Sequence, residues 1–236
     1  MVPTKKTARL AGLLWLLTIA FGLFAQVGVR EKLIVLGDAA ATANNIAANA
    51  FLFRLGFVSD LAMMICYLLT PLAFFKLFSA VNKNLSILTV IFGLMGTAIG
   101  MLNLLNEFAA LHVLSGMEYQ NVLDPRQLQA QAMLFLDIYE HGYMIAHIFF
   151  ALWVLPLGML VYRSGFLPRI FGVLFAAETV TSLIAAVIHF LTPNGVLEAN
   201  LMWLGAIAEF SFTFWLLFRG INESKANAAK PFSCVP

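Results

Sequence analysis

The chain has 236 residues, of which 61% are hydrophobic and only 11% are Asp, Glu, Lys or Arg. Soluble globular domains carry about 25% charged residues, so this composition excludes a soluble fold and predicts an integral membrane protein in a lipid bilayer. The net charge of +2, with basic residues at the ends of apolar stretches, also argues against a nucleic-acid partner.

Six apolar stretches follow one another along the chain. Each is close to the length of about 20 residues at which a helix crosses a bilayer, and lipid offers no partner to an open backbone. We predict an all-α polytopic membrane protein, a six-transmembrane-helix bundle, with one domain over residues 1–222 and a disordered polar tail over residues 223–236. The predicted helices cover residues 10–29, 55–76, 85–111, 137–162, 169–191 and 200–218.

Two segments outside the apolar stretches also have the composition of helices. Gly37–Ile46 begins with Asp38 as an N-cap and continues in good helix formers, which predicts a short amphipathic helix on the outer face. Asp124, Pro125 and Gln127 have the order of an N-cap, a first helical proline and a reciprocal capping residue. The fourth membrane helix is therefore expected to start outside the bilayer.

The basic residues divide unevenly between the two sides of the predicted helices. Because Lys and Arg accumulate in cytoplasmic loops, we expect the richer side, with both termini, to be cytoplasmic. One side holds 10 of them, namely Lys5, Lys6, Arg9, Lys76, Lys83, Arg163, Arg169, Arg219, Lys225 and Lys230, and the other holds 4, namely Arg30, Lys32, Arg54 and Arg126.

Recognisable motifs are spread over nearly the whole chain, at Ala8–Leu14, Gly37–Ala43, Phe53–Asp60, Asn103–Asn106, Leu134–Asp137 and Tyr162–Arg169. Together they resemble the bacterial membrane proteins grouped as the domain-of-unknown-function 4386 family. The resemblance implies a six-helix membrane protein and assigns no reaction, substrate or cofactor. We therefore expect the chain in a bacterial inner (plasma) membrane. Where the family often shows an Arg and a Glu early in the third helix, this sequence has Phe92–Gly96, so no role of those charges carries over.

Polar side chains inside the apolar stretches mark where function is to be sought, because an intramembrane charge costs about 2.5 to 3.5 kcal/mol on insertion scales. With both termini inside, most of them fall in the outer half of the membrane, and the others lie near its middle. This arrangement predicts a polar cavity that opens outward. Its expected residues are Arg54, Asp60, Asn103, Asn106, Glu107, Asp137, Glu140, His141, His147, Glu178 and Glu209.

The polar residues of the fourth helix share one face, since they fall within an arc of roughly 120°. We expect Asp137, Glu140 or His141 to point into the bundle and reach Asp60, Asn103, Asn106 or Glu107. The alternative is that these carboxylates lie in the headgroup region, where charge costs little.

The remaining charged residues have simpler interpretations as well. Arg54 is the expected partner of Asp60, and that pair could be purely structural. Glu178 and Glu209 have no charged neighbour one turn away, so each must be protonated, paired across helices or exposed to a water-filled cavity.

A metal site is conceivable, with Glu140, His141 and His147 as weak candidate ligands on one helix face. The sequence has no HExxH motif and no pair of Glu-x-x-His motifs, so the pattern has little specificity. No spacing indicates a haem, and no cofactor is assigned.

Three functions stay open. The preferred function is the binding or transport of a small ligand through the outward-facing polar cavity, linked to the movement of a cation or proton. Bond cleavage is not expected, because the carboxylates lack a recognisable nucleophile, base and orienting group. The alternatives are an intramembrane metal-dependent enzyme and a non-enzymatic assembly or sensing subunit. Six helices could act alone or as a homo-oligomer.

Overall fold

The computed structural model describes residues 3–115, 123–192 and 195–228, and every regular element in this part of the chain is a helix. Six of these helices are long and apolar enough to cross a membrane, as predicted. The chain is therefore an all-helical, multi-pass integral membrane protein.

The first helix, α1, runs from Lys5 to Leu33 and extends beyond the predicted segment 10–29 at both ends. It is α-helical over Lys5–Leu23, widens into a π-helix over Phe24–Arg30, and closes with an α-helical turn over Glu31–Leu33. A π-helix bonds each residue to the fifth along the chain and often marks a functional position. Arg30 therefore lies within the membrane-length helix, whereas the sequence placed it in the following loop.

The short helix predicted after α1 is present as α2, Ala39–Ala48. Asp38 caps it, since its Oδ1 accepts a hydrogen bond from the backbone N–H of Ala41 over 2.8 Å. Ile46 is fully buried in the same hydrophobic cluster as Val29 and Phe53. α2 is thus part of a protein core and does not simply lie on the membrane surface.

The remaining helices contain every other predicted span and extend beyond most of them. The fourth membrane helix starts at Pro125, as predicted, where Asp124 Oδ1 accepts from the Arg126 N–H over 2.8 Å and Gln127 Oε1 accepts from the Asp124 N–H over 3.1 Å. The helices are α3, Ala50–Phe78; α4, Lys83–Ser115; α5, Pro125–Ser164; α6, Arg169–Leu191; α7, Gly195–Phe218; and α8, Glu223–Ala228. α8 lies in the tail for which disorder was predicted, and residues 229–236 lie outside the described part.

The chain divides into two compact units, and the single domain over residues 1–222 stays a prediction. Unit one comprises Met1–Leu16, Cys66–Thr97 and Met144–Pro236, and unit two comprises Leu17–Ile65 and Ala98–Tyr143. α1, α3, α4 and α5 each contribute to both units, because helices of 29 to 40 residues are long enough to do so.

Unit one has an aromatic core. Trp15 of α1 stacks on Phe175 of α6 with ring centres 5.7 Å apart, and it meets Trp153 of α5 at 5.2 Å and Phe212 of α7 at 5.8 Å. Each such pair contributes about 0.5 to 1.5 kcal/mol beyond the area it buries. Trp15 and Trp153 therefore pack in the core of unit one.

Unit two has an aliphatic core around one phenylalanine. Phe53 of α3 and Val29 of α1 are fully buried in it, together with Leu111 of α4 and Leu136 of α5. This core holds the four helices whose polar side chains form the candidate site.

Candidate functional site

Three helices of unit two bring one arginine and two carboxyl groups together. Asp60 of α3 and Glu107 of α4 are completely buried, and Arg30 near the end of α1 is 8% exposed. Arg30 Nη1 donates to Asp60 Oδ2 in a direct ion pair and lies 3.5 Å from Glu107 Oε1. Gln26, one turn earlier in the π-helix, accepts from Arg30 Nε over 2.9 Å and orients the guanidinium.

A fourth helix adds an aromatic group to this set. The guanidinium of Arg30 lies over the ring of Tyr139 in α5, with 5.1 Å between its central carbon and the ring centre. A cation at this distance is attracted by the negative face of the ring. The hydroxyl of the buried Tyr139 faces Asp60 without completing a hydrogen bond of normal geometry. We refer to Arg30, Asp60, Glu107 and Tyr139 as the Arg30 cluster.

The Arg30 cluster has more oxygen atoms than its single cation can satisfy. Asp60 Oδ1, Glu107 Oε2 and Tyr139 OH are buried and complete no hydrogen bond with any residue that the structure describes. Buried polar atoms of native proteins nearly always have a partner, and one guanidinium balances the charge of only one of the two carboxylates. The cluster is therefore suited to a proton or a hard cation, which oxygen ligands favour.

Amide groups set the distance between α4 and α5 beside the cluster. Asn103 donates from Nδ2 to the backbone carbonyl of Tyr139 over 2.7 Å, and its Oδ1 accepts from Asn106 over 3.0 Å. Gly142, on the facing turn of α5, leaves room for Asn103, because a Cβ there would overlap the amide oxygen. Asn103 thus bonds to the backbone that carries Tyr139, and Asn106 holds the amide of Asn103 in place.

The predicted partner of Asp60 was wrong. Arg54 is exposed, whereas Arg30 forms the ion pair. Arg54 and Asp60 are six positions apart, which places their side chains about 120° apart around α3. Arg30 was missed because it ends a 20-residue apolar run and was counted as a loop residue. A signal was present in Gln26 and Arg30, which are one helical turn apart.

The polar face of α5 was predicted to point into the bundle, but it is exposed. Asp137, Glu140 and His141 are all exposed on the described structure, and the buried residue of that turn is Tyr139. Asp137 and Tyr139 are two residues apart and so lie on nearly opposite sides of the helix. An apolar face that includes Leu136 is buried instead, because it packs in the core of unit two.

The other predicted site residues belong to unit one. Glu178 of α6 and Glu209 of α7 interact through their carboxyl groups, and Glu209 also faces Trp15. His147 of α5 has a buried Nε2 that completes no hydrogen bond with the described residues.

The weak metal-ligand set is not assembled. Within the described ranges, no three His, Cys, Asp or Glu side chains come close enough together to hold a metal ion. Glu140 and His141 are exposed, whereas the ring nitrogen of His147 is buried, so the three do not converge.

Comparison with known families supplies the wider context. The family model described as domain of unknown function DUF4386 matches residues 10–220. The chain belongs to this family. The matched part includes the whole Arg30 cluster as well as Glu178 and Glu209, so both carboxyl pairs lie within the DUF4386 domain. No curated protein and no solved structure matches the chain.

Proposed function

We propose that this DUF4386 protein binds and releases a proton at the Arg30 cluster, and that this step is linked to the binding or transport of a small ligand. The observation that supports the proposal is that two completely buried carboxyl groups face one guanidinium. If both ionise, the cluster has a net charge of −1 in a medium of low dielectric constant. A proton restores neutrality there, whereas an uncompensated buried charge is strongly destabilising.

The ligand-linked part of the proposal rests on the same atoms. Asp60 Oδ1, Glu107 Oε2 and Tyr139 OH complete no hydrogen bond with the described residues, so these oxygen atoms can accept hydrogen bonds from a ligand or coordinate a small cation. A cationic ligand that approached them would displace the proton, which couples the two binding events.

We also propose that both termini are cytoplasmic and that the protein lies in a bacterial plasma membrane. The charge bias supports this orientation more strongly once Arg30 is placed inside α1, since Lys and Arg then divide 10 to 3. Arg30 and Glu107 lie near the C-terminal ends of α1 and α4, which this orientation directs outward. The Arg30 cluster would therefore exchange its proton with the outer side.

Infrared spectroscopy of the purified protein in lipid tests the proton. Wild-type protein near neutral pH should show the carbonyl band of a buried protonated carboxylic acid, and Glu107→Gln should remove part of that band. Glu140→Gln is the matched control, because Glu140 is an exposed acid on a neighbouring helix and should leave the buried band unchanged. Identical buried-acid bands in wild type and Glu107→Gln would overturn the proposal.

A further inference from the structure

Unit one contains a second pair of carboxyl groups, of which that of Glu178 is buried and that of Glu209 is half-buried. Glu178 of α6 is 5% exposed, and its carboxyl group interacts directly with that of Glu209 of α7. Gly205, one turn before Glu209, leaves the space for this contact, because a Cβ there would meet Glu178 Cγ at 3.0 Å and Oε1 at 3.1 Å. The side chain of Glu178 therefore packs closely against the turn of α7 that precedes Glu209.

A hydrogen-bond donor from a third helix is directed at the pair. Trp15 of α1 is 1% exposed, and its indole N–H faces Glu209 without completing a hydrogen bond of normal geometry. Glu178 Oε2 is also buried without a hydrogen bond to the described residues. An indole N–H can only donate, so its natural partner here is an ionised carboxylate.

The residues that the structure describes bring no counter-charge to this pair. No ion pair among the described residues includes either carboxyl group. Trp15 packs against Phe74 of α3 and Trp153 of α5, which surrounds its indole with aromatic rings. His147, a titratable residue of α5 in unit one, shows no electrostatic interaction with the pair.

We propose that Glu178 and Glu209 form a second proton-binding site, independent of the Arg30 cluster, in which the two carboxyl groups share one proton. Two adjacent carboxylates in a low dielectric repel each other, and without a cation both cannot ionise. The protonated carboxyl group donates a hydrogen bond to the ionised one, and the Trp15 N–H stabilises the remaining charge. This site goes beyond the proposed function, because none of its residues belongs to the Arg30 cluster.

The test is a comparison of four proteins by infrared spectroscopy at neutral pH: wild type, Glu178→Gln, Glu209→Gln and the double variant. In either single variant the new amide donates to the remaining carboxylate, which then no longer needs the proton. Each single variant should lose the same protonated-acid band, and the double variant should lose no more than either of them.

Two results would overturn the proposal. A double variant that loses twice the band of each single variant shows two separate neutral acids, and variants without any loss show that neither acid holds a proton. Glu107→Gln should lower the band independently, so the two proposals can fail separately.

A second measurement covers the case in which the glutamine variants do not fold. Acidification of the wild-type protein should change its tryptophan fluorescence, because full protonation removes the charge beside Trp15. Trp15→Phe should abolish this change while the other three tryptophans still emit. An identical pH response in wild type and Trp15→Phe would overturn the proposal.

Discussion

Arg30 carries the single positive charge of the buried Arg30 cluster, so its replacement is expected to destabilise unit two. Arg30→Met would leave Asp60 and Glu107 buried without a cation, and removal of one partner of a buried ion pair costs about 3 to 5 kcal/mol. We expect that loss in the free energy of unfolding measured in detergent. Arg54→Met is the control and should change it by less than about 0.5 kcal/mol, because Arg54 is exposed.

The same variant can be rescued if charge is the cause of its instability. Adding Asp60→Asn and Glu107→Gln to Arg30→Met removes both uncompensated carboxylates and keeps their shapes. The triple variant should therefore unfold with a higher free energy than Arg30→Met alone. Equal stability of the two would mean that lost packing, and not charge, explains the effect.

Gly142 is the residue at which a single methyl group should disturb the contact between α4 and α5. Gly142→Ala would overlap the amide of Asn103, and overpacking of this kind costs about 1 to 3 kcal/mol. Gly195→Ala is the control, since no atom lies within 4 Å of its added Cβ. In an Asn103→Ala background, Gly142→Ala should lower the free energy of unfolding by less, because the amide that it would overlap is absent. If the effects of the two changes are simply additive, the contact between Gly142 and Asn103 is contradicted.

At the scale of elements, the N-terminal cap of α5 is testable by itself. Asp124→Ala removes the acceptor for the Arg126 N–H, and loss of such a cap costs about 0.5 to 2 kcal/mol. We expect faster hydrogen exchange at the first amides of α5 and a lower free energy of unfolding. Asp137→Ala, at an exposed position within the same helix, should change neither; equal effects of the two variants would show that the cap is not responsible.

At the scale of the whole molecule, the proposed orientation predicts which connections face the cytoplasm. Reporters fused at residue 80 and at the C-terminus should both be active inside the cell, and a reporter fused at residue 120 should be active outside. Residue 80 lies between α3 and α4, and residue 120 falls in the part of the chain outside the described residues. Reporters at 80 and 120 that are active on the same side would contradict the topology.

The sequence alone was sufficient for the features that depend on neighbours along the chain. Apolar stretches of membrane length predicted all six spans, because lipid forces the backbone of such a stretch into a helix. The caps at Asp38 and Asp124 were also predictable, because an N-cap needs an acceptor and an N–H only two or three residues apart. Asp60, Asn103 and Glu107 were found as candidates because polar side chains are rare in such stretches.

Which polar residues meet was decided only by tertiary structure. Arg30 reaches Asp60 because α1 continues as a π-helix past the end of its apolar run, and Arg54, closer in sequence, is turned away. The polar arc of α5 is exposed and Tyr139 is buried, because the packing of Leu136 with the other helices determines the rotation of α5. Periodicity shows that a helix has two faces, but the side that is buried depends on the residues of other helices packed against it.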